Sequence, residues 1–152
     1  TSNWDFIVGV LARHALGIEA QWMGKDSLFK GLAGPVMRAL GGIAIDRSAP
    51  HGVTQEVIAE FARRERLWLA ITPEGTRSHV PHLKSGFYRI ALGANLPCGL
   101  GFIDYGARTV GVDTYVRFSG DDTRDLDTLR AYYAGKRAHR PDCAGEIRFR
   151  AH

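Results

Sequence analysis

Glu74, Gly75, Thr76 and Arg77 follow Pro73 directly, where the apolar run in Leu67–Ser78 (LWLAITPEGTRS) ends. The guanidinium of Arg77 is a planar fork matched to phosphate or carboxylate. Gly75 lets backbone come close to a ligand, and Thr76 adds a hydroxyl. Asp46-Arg47-Ser48 repeats the pattern after another short apolar run, and Lys84 stands just ahead of an apolar segment. Two arginines, a lysine and a helix N-terminus converging on one pocket would make a phosphate site. A strand-ending turn held by a Glu74–Arg77 pair fits the same residues.

Acid–base candidates are fewer. Asp5 sits at a helix start and reads either as a cap or as a partner for a base. His14 lies nine residues further on, about 13 Å along an ideal helix and on the opposite face, so it does not pair with Asp5. His51, His79 and His82 fall in expected loops. The spacing of the last two loosely suits a metal, but no acidic or Cys companion completes a site.

The elements that must position these groups alternate between helix and strand. Ser2 and Asp5 resemble a capping box, and Phe6, Ile7, Val10 and Leu11 predict a helix to about Leu16 with Gly17 as its stop. Strands are expected at Ile18–Gly24 and Ile43–Ile45, with a helix at Gly34–Leu40 opened by Pro35. Val53, Val57, Ile58 and Phe61 mark a helix that ends in the solvated charged run Arg63–Arg66. The run in Leu67–Ser78 reads as a central strand buried on both faces, a kind whose ligands gather beyond its carboxyl end. Ser78–Lys84 should be loop and Ser85–Leu92 a short helix. Cys98–Tyr105 and Val110–Phe118 read as neighbouring strands, paired as a hairpin through Gly106. Leu126, Leu129 and Tyr133 mark a last helix, and the tail after Gly135 shows little pattern. Trp22, Trp68 and Phe87 are expected in the core. Together these elements predict a single-domain α/β layered fold, its central sheet largely parallel or mixed and flanked by helices.

Four blocks, in order and over nearly the whole chain, resemble the glycerolphosphate and lysophosphatidate acyltransferase family. They are TSNWD, GGIAIDRS, PEGTRS (the most specific) and KSGFYRIALGANLPC. In that family the first block is a His, four residues and an Asp. Asp5 matches the Asp, but the His would stand just before Thr1, outside this sequence, so we expect the chain to be a piece of a longer polypeptide that carries it. The resemblance implies that the His is the general base for an acceptor hydroxyl and that Asp5 orients it. It also implies acceptor phosphate binding by Arg47 and Arg77, with Glu74, Gly75, Thr76 and Lys84 completing the acceptor site. Pro97 would shape the acyl-donor side. The implied reaction is O-acyl transfer from acyl-CoA or acyl carrier protein to glycerol 3-phosphate or a lysophospholipid, in phospholipid biosynthesis. Acyl-CoA or carrier protein is then a co-substrate, with no cofactor, metal or covalent enzyme intermediate.

Bulk properties are compatible with this. At 152 residues, 45% hydrophobic and 24% charged, the chain is an ordinary globular one. Of its 20 basic residues all but four are Arg, and the net charge of +4 suits a phosphate ester, an anionic membrane or nucleic acid. Nucleic acid is disfavoured, because the arginines are spread along the chain and no nucleic-acid motif occurs. Cys98 and Cys143 indicate neither a disulfide framework nor a zinc site, which predicts a reducing, cytoplasmic setting. The longest apolar candidate, Ile90–Ile103, is broken by Asn95, Pro97 and glycines, so no span is expected. The lipid substrates that the resemblance implies give the expected location as cytoplasmic and peripheral, at the inner face of the membrane. A catalytically inactive module of the same fold that binds lipid or acyl carrier is the alternative.

Overall fold

A computed structural model describes residues 3–45, 50–76 and 78–150 of the chain. Ser2, Asp46, Arg47, Ser48 and Arg77, all named above, lie outside the described residues. The chain packs as two compact units, Arg13–Ile71 and the combination of Thr1–Ala12 with Thr72–His152.

Helix α1 (Asn3–Ala15) is the predicted first helix. It stops as expected at Gly17, whose φ of +64° suits a residue without Cβ and whose N–H closes onto the His14 carbonyl. In the unit Arg13–Ile71, β1 (Ala20–Lys25) is the middle of a parallel three-stranded sheet ordered β2-β1-β3. Its neighbours are β2 (Gly42–Ile45) and β3 (Trp68–Ala70), with Trp22 opposite both Gly42 and Ala70. Helix α2 (Ala33–Ala39) and helix α3 (Pro50–Arg63) make the crossovers. Parallel pairing points the carboxyl ends of β2 and β3 to the same end of the sheet.

Phe29, at the end of the 3₁₀ turn Asp26–Phe29, anchors this unit and is 4% exposed. A Cβ on Gly24 or Gly42 would come within 2.9 or 2.6 Å of Phe29 ring atoms, and one on Gly34 within 2.3 Å of the Phe29 carbonyl oxygen, so ring and carbonyl fit where three neighbours have no side chain. Trp22 packs on Phe29 at 5.8 Å and donates its indole N–H to the Leu40 carbonyl at 3.0 Å. Arg63–Arg66 is exposed, as expected.

Two expectations are corrected here. β3 is a three-residue edge strand rather than a central one, and Trp68 is 46% exposed instead of core. Among the described residues, no strand pairs with the outer side of β3. His51 belongs to α3 rather than a loop.

The other unit holds the larger core. Helix α4 (Gly86–Gly93) supplies Tyr88 and Ile90, β4 (Cys98–Asp104) supplies Leu100, and α5 (Asp122–Tyr133) supplies Leu126 and Leu129. β4 pairs antiparallel with β5 (Thr109–Val116) as the predicted hairpin, with a register shift at Gly99–Gly101. Phe87, Tyr88, Phe118 and Phe149 form one ring cluster, with Tyr88 4.9 Å from Phe118 and 5.1 Å from Phe149. Beneath it Asp125, 6% exposed, accepts hydrogen bonds from the Tyr88 hydroxyl, the Ser119 amide and hydroxyl, and the Gly120 amide. No helix among the described residues is long and apolar enough to cross a membrane.

Candidate functional site

The PEGT turn is built by backbone first. Gly75 has φ +65° and donates its N–H to the Thr72 carbonyl at 3.1 Å, closing the turn that Pro73 opens. The Lys84 amide donates to the Pro73 carbonyl at 2.8 Å, which draws the far end of the loop back to its start. The Lys84 side chain then lies along the turn: a Cβ on Gly75 would sit 2.7 Å from Nζ and 3.2 Å from Cδ. Gly75 is therefore the place where a cation and backbone come together. Thr76 Oγ1 accepts from the Ser78 amide at 3.3 Å, a local hydroxyl-to-backbone turn.

The tail that shows little pattern in sequence holds this loop. Gly145 donates its N–H to Glu74 Oε1 at 2.9 Å, and a Cβ there would meet Val80 Cγ2 at 2.8 Å and Glu74 Oε1 at 3.2 Å. The Leu83 amide donates to the Arg148 carbonyl at 2.8 Å, and Leu83 bridges Phe149. Glu74 is thus oriented by a main-chain donor some seventy residues away in sequence.

Asp5 occupies the first turn of α1, in the same compact unit as the PEGT turn. Its Oδ1 accepts a 2.8 Å hydrogen bond from the Tyr105 hydroxyl. Tyr105 follows β4, and its amide donates to the Arg137 carbonyl at 2.9 Å. Asp104 beside it accepts from the Gly106, Ala107 and Arg137 amides, which hold its carboxyl below the usual carboxylate range and lash this corner together. Burial, and then the carboxylate of Asp5, push the Tyr105 hydroxyl up to about 12, so it remains a donor throughout the neutral range. His139 packs edge-on against the Tyr105 ring at 4.8 Å.

Among the residues expected to act together, Glu74, Gly75, Thr76 and Lys84 are brought into one turn. Asp5 is instead tied to the corner after β4. Pro97 is exposed just before β4. His14 is exposed in the last turn of α1, His79 is exposed in the loop Ser78–Lys84, and His82 is half-buried there. Tyr105 and Gly145 escaped the sequence reading. For Tyr105 the available signal was the Asp-Tyr-Gly corner ending an apolar strand, whereas an amide donor such as that of Gly145 leaves no side-chain trace.

A family model described as Acyltransferase matches residues 1–103, which include Asp5, the PEGTRS stretch and Lys84. No curated protein and no solved structure matches the chain. The match spans about two thirds of the sequence and contains every block quoted above, and the chain belongs to the acyltransferase family, of the glycerolphosphate and lysophosphatidate type.

Proposed function

We propose that the protein transfers a fatty acyl group from acyl-CoA or an acyl carrier protein to the free hydroxyl of glycerol 3-phosphate or a lysophospholipid, in membrane lipid synthesis. The observation that carries this proposal is the PEGT turn, where the Lys84 ammonium lies against the backbone of Gly75 in the unit that also holds Asp5. A cation at a turn with little side-chain bulk favours a phosphate close to the main chain. Arg77 is the next residue but one, and Arg47 is the further phosphate-binding residue that the family resemblance implies.

With the acceptor phosphate bound by Arg77 and Lys84, its hydroxyl meets the family's His, five positions before Asp5. The imidazole takes the hydroxyl proton as the oxygen attacks the thioester carbonyl. The C–S bond then breaks, and the proton passes to the departing thiolate. Asp5 stabilises the imidazolium, and the Tyr105 hydroxyl helps to hold the Asp5 carboxylate in place. Glu74, oriented by Gly145, binds an acceptor hydroxyl or a basic neighbour, while Thr76 offers a further polar contact and Pro97 borders the acyl donor. Held in register, such groups supply several kcal/mol through positioning alone. The basic charge and a lipid acceptor fit a peripheral enzyme at the inner face of the membrane.

A product screen of the whole protein decides the matter: acyl-CoA and acyl carrier protein as donors, against glycerol 3-phosphate and a panel of lysolipids. Asp5→Asn should lower kcat by about 10²–10⁴-fold with the acceptor KM nearly unchanged. Arg77→Ala should raise the acceptor KM by about 10–100-fold, the worth of one charge-assisted contact. Wild-type rates in both variants would remove the site assignment.

A further inference from the structure

We propose that the turn between the 3₁₀ segment Asp26–Phe29 and α2 is a membrane-docking tip. Leu28, Leu32 and Val36 enter the acyl boundary of an anionic phospholipid bilayer, and Lys30 and Arg38 rest among its head groups. The functional proposal contributes only the expectation of a lipid surface; the tip itself follows from the unit Arg13–Ile71.

Leu32 is 98% exposed, Leu28 49% and Val36 54%. Leu32 caps α2 in helical conformation, so Val36, four residues on, lies on the same face. This exposure is not loose packing, because the turn is fastened directly beneath. Phe29 is buried in its cup of glycines, and Arg38 donates from Nη1 to the Phe29 carbonyl at 3.3 Å while its guanidinium sits 5.7 Å from the Phe29 ring. Gly34 must lack a side chain for α2 to seat on that carbonyl. The fold therefore holds Phe29 inward and, with the same contacts, holds its apolar neighbours out.

Charge identifies the occupant. Beyond Asp26, which opens the 3₁₀ segment, the chain carries Lys30 and Arg38 and no acidic residue as far as Ile45. A second copy would set like charges against each other, whereas an anionic head-group layer over an apolar interior complements both features at once. Lys and Arg beside an inserting apolar face keep their charged ends at the interface.

The test is flotation of the whole protein with vesicles of phosphatidylcholine containing about 30% phosphatidylglycerol, a proportion that gives a surface potential of the physiological kind. Leu32→Ser/Val36→Ser changes exposed positions only and should weaken binding at least tenfold. Lys30→Gln should weaken it by a smaller factor, and by less still in high salt. The double variant should acylate dissolved glycerol 3-phosphate like wild type and lose rate only with vesicle-embedded lysolipid. Vesicle binding equal to wild type overturns the tip. So does a wild-type dimer in sedimentation that the double variant dissolves without change in vesicle binding, since a second copy would then cover this face. Absence of acyl transfer to every acceptor overturns the functional proposal, while flotation still decides the docking surface.

Discussion

Asp5 and Tyr105 stand a hundred residues apart, and one hydrogen bond joins them. A phenol donating to a carboxylate lowers the basicity of that carboxylate. Tyr105→Phe keeps the ring and deletes the donor, so its effect should fall on chemistry rather than binding. We expect kcat to drop about 2–10-fold, the worth of one such bond, with KM unchanged. The acid limb of the kcat/KM profile should also move to higher pH, because a carboxylate without its donor holds a proton on itself or its imidazole more tightly. A purely structural role would leave that limb in place. Gly75 is the second position where one atom matters. At φ +65° an alanine costs about 1–2 kcal/mol in backbone strain, and its methyl displaces the Lys84 ammonium. Gly75→Ala should lower the melting temperature by about 2–8 °C and raise the acceptor KM, both readable on one preparation.

At the scale of elements, α5 shows why a buried carboxylate was hard to foresee. Asp121 caps the helix by accepting from the Thr123 and Arg124 amides, as an acidic N-cap should. Asp125 has the same type and neighbourhood, yet it is buried against Tyr88. Asp125→Asn keeps the shape but removes the charge that several donors converge on, and should cost about 1–3 kcal/mol in denaturant unfolding. The sequence revealed helices and strands wherever periodicity or alternation ran long enough, as in α1, α3 and the β4–β5 hairpin. It revealed the PEGT turn because Pro, Gly and charged residues announce turns. β3 misled because a Trp-Leu-Ala run looks the same at an edge as in the middle of a sheet, and the number of strands is a tertiary fact. The hold of Gly145 on Glu74 was invisible for another reason: every residue but proline owns the amide that makes it.

For the molecule as a whole, titration follows from where the shifted groups lie. Asp104, Asp113 and Asp125 are all held low: Asp104 by its corner amides, Asp113 chiefly by the Tyr132 hydroxyl, and Asp125 by donors that overcome its burial. Groups depressed on folding stabilise the fold above their unfolded value, about pH 4, and that contribution disappears as pH falls through the folded values. Tyr105 and Tyr133, raised to about 12 mainly by burial, act in the opposite direction. Their contribution is intact below about pH 10 and is lost as pH rises toward 12. Unfolding free energy should therefore plateau between these limits, and Asp125→Asn should flatten the acid edge. All five groups fall in Thr72–His152, so the loss at either extreme should register first there, in tyrosine absorbance and hydrogen exchange. The clasp of Gly145 and Arg148 on the loop from Glu74 to Leu83 makes the carboxyl-terminal stretch an unseen hand on the proposed acceptor site. A protease nick past Ala144 would leave Asp5, Arg77 and Lys84 untouched in sequence and still release Glu74, so damage at one end of the chain would register as weakened grip on the acceptor.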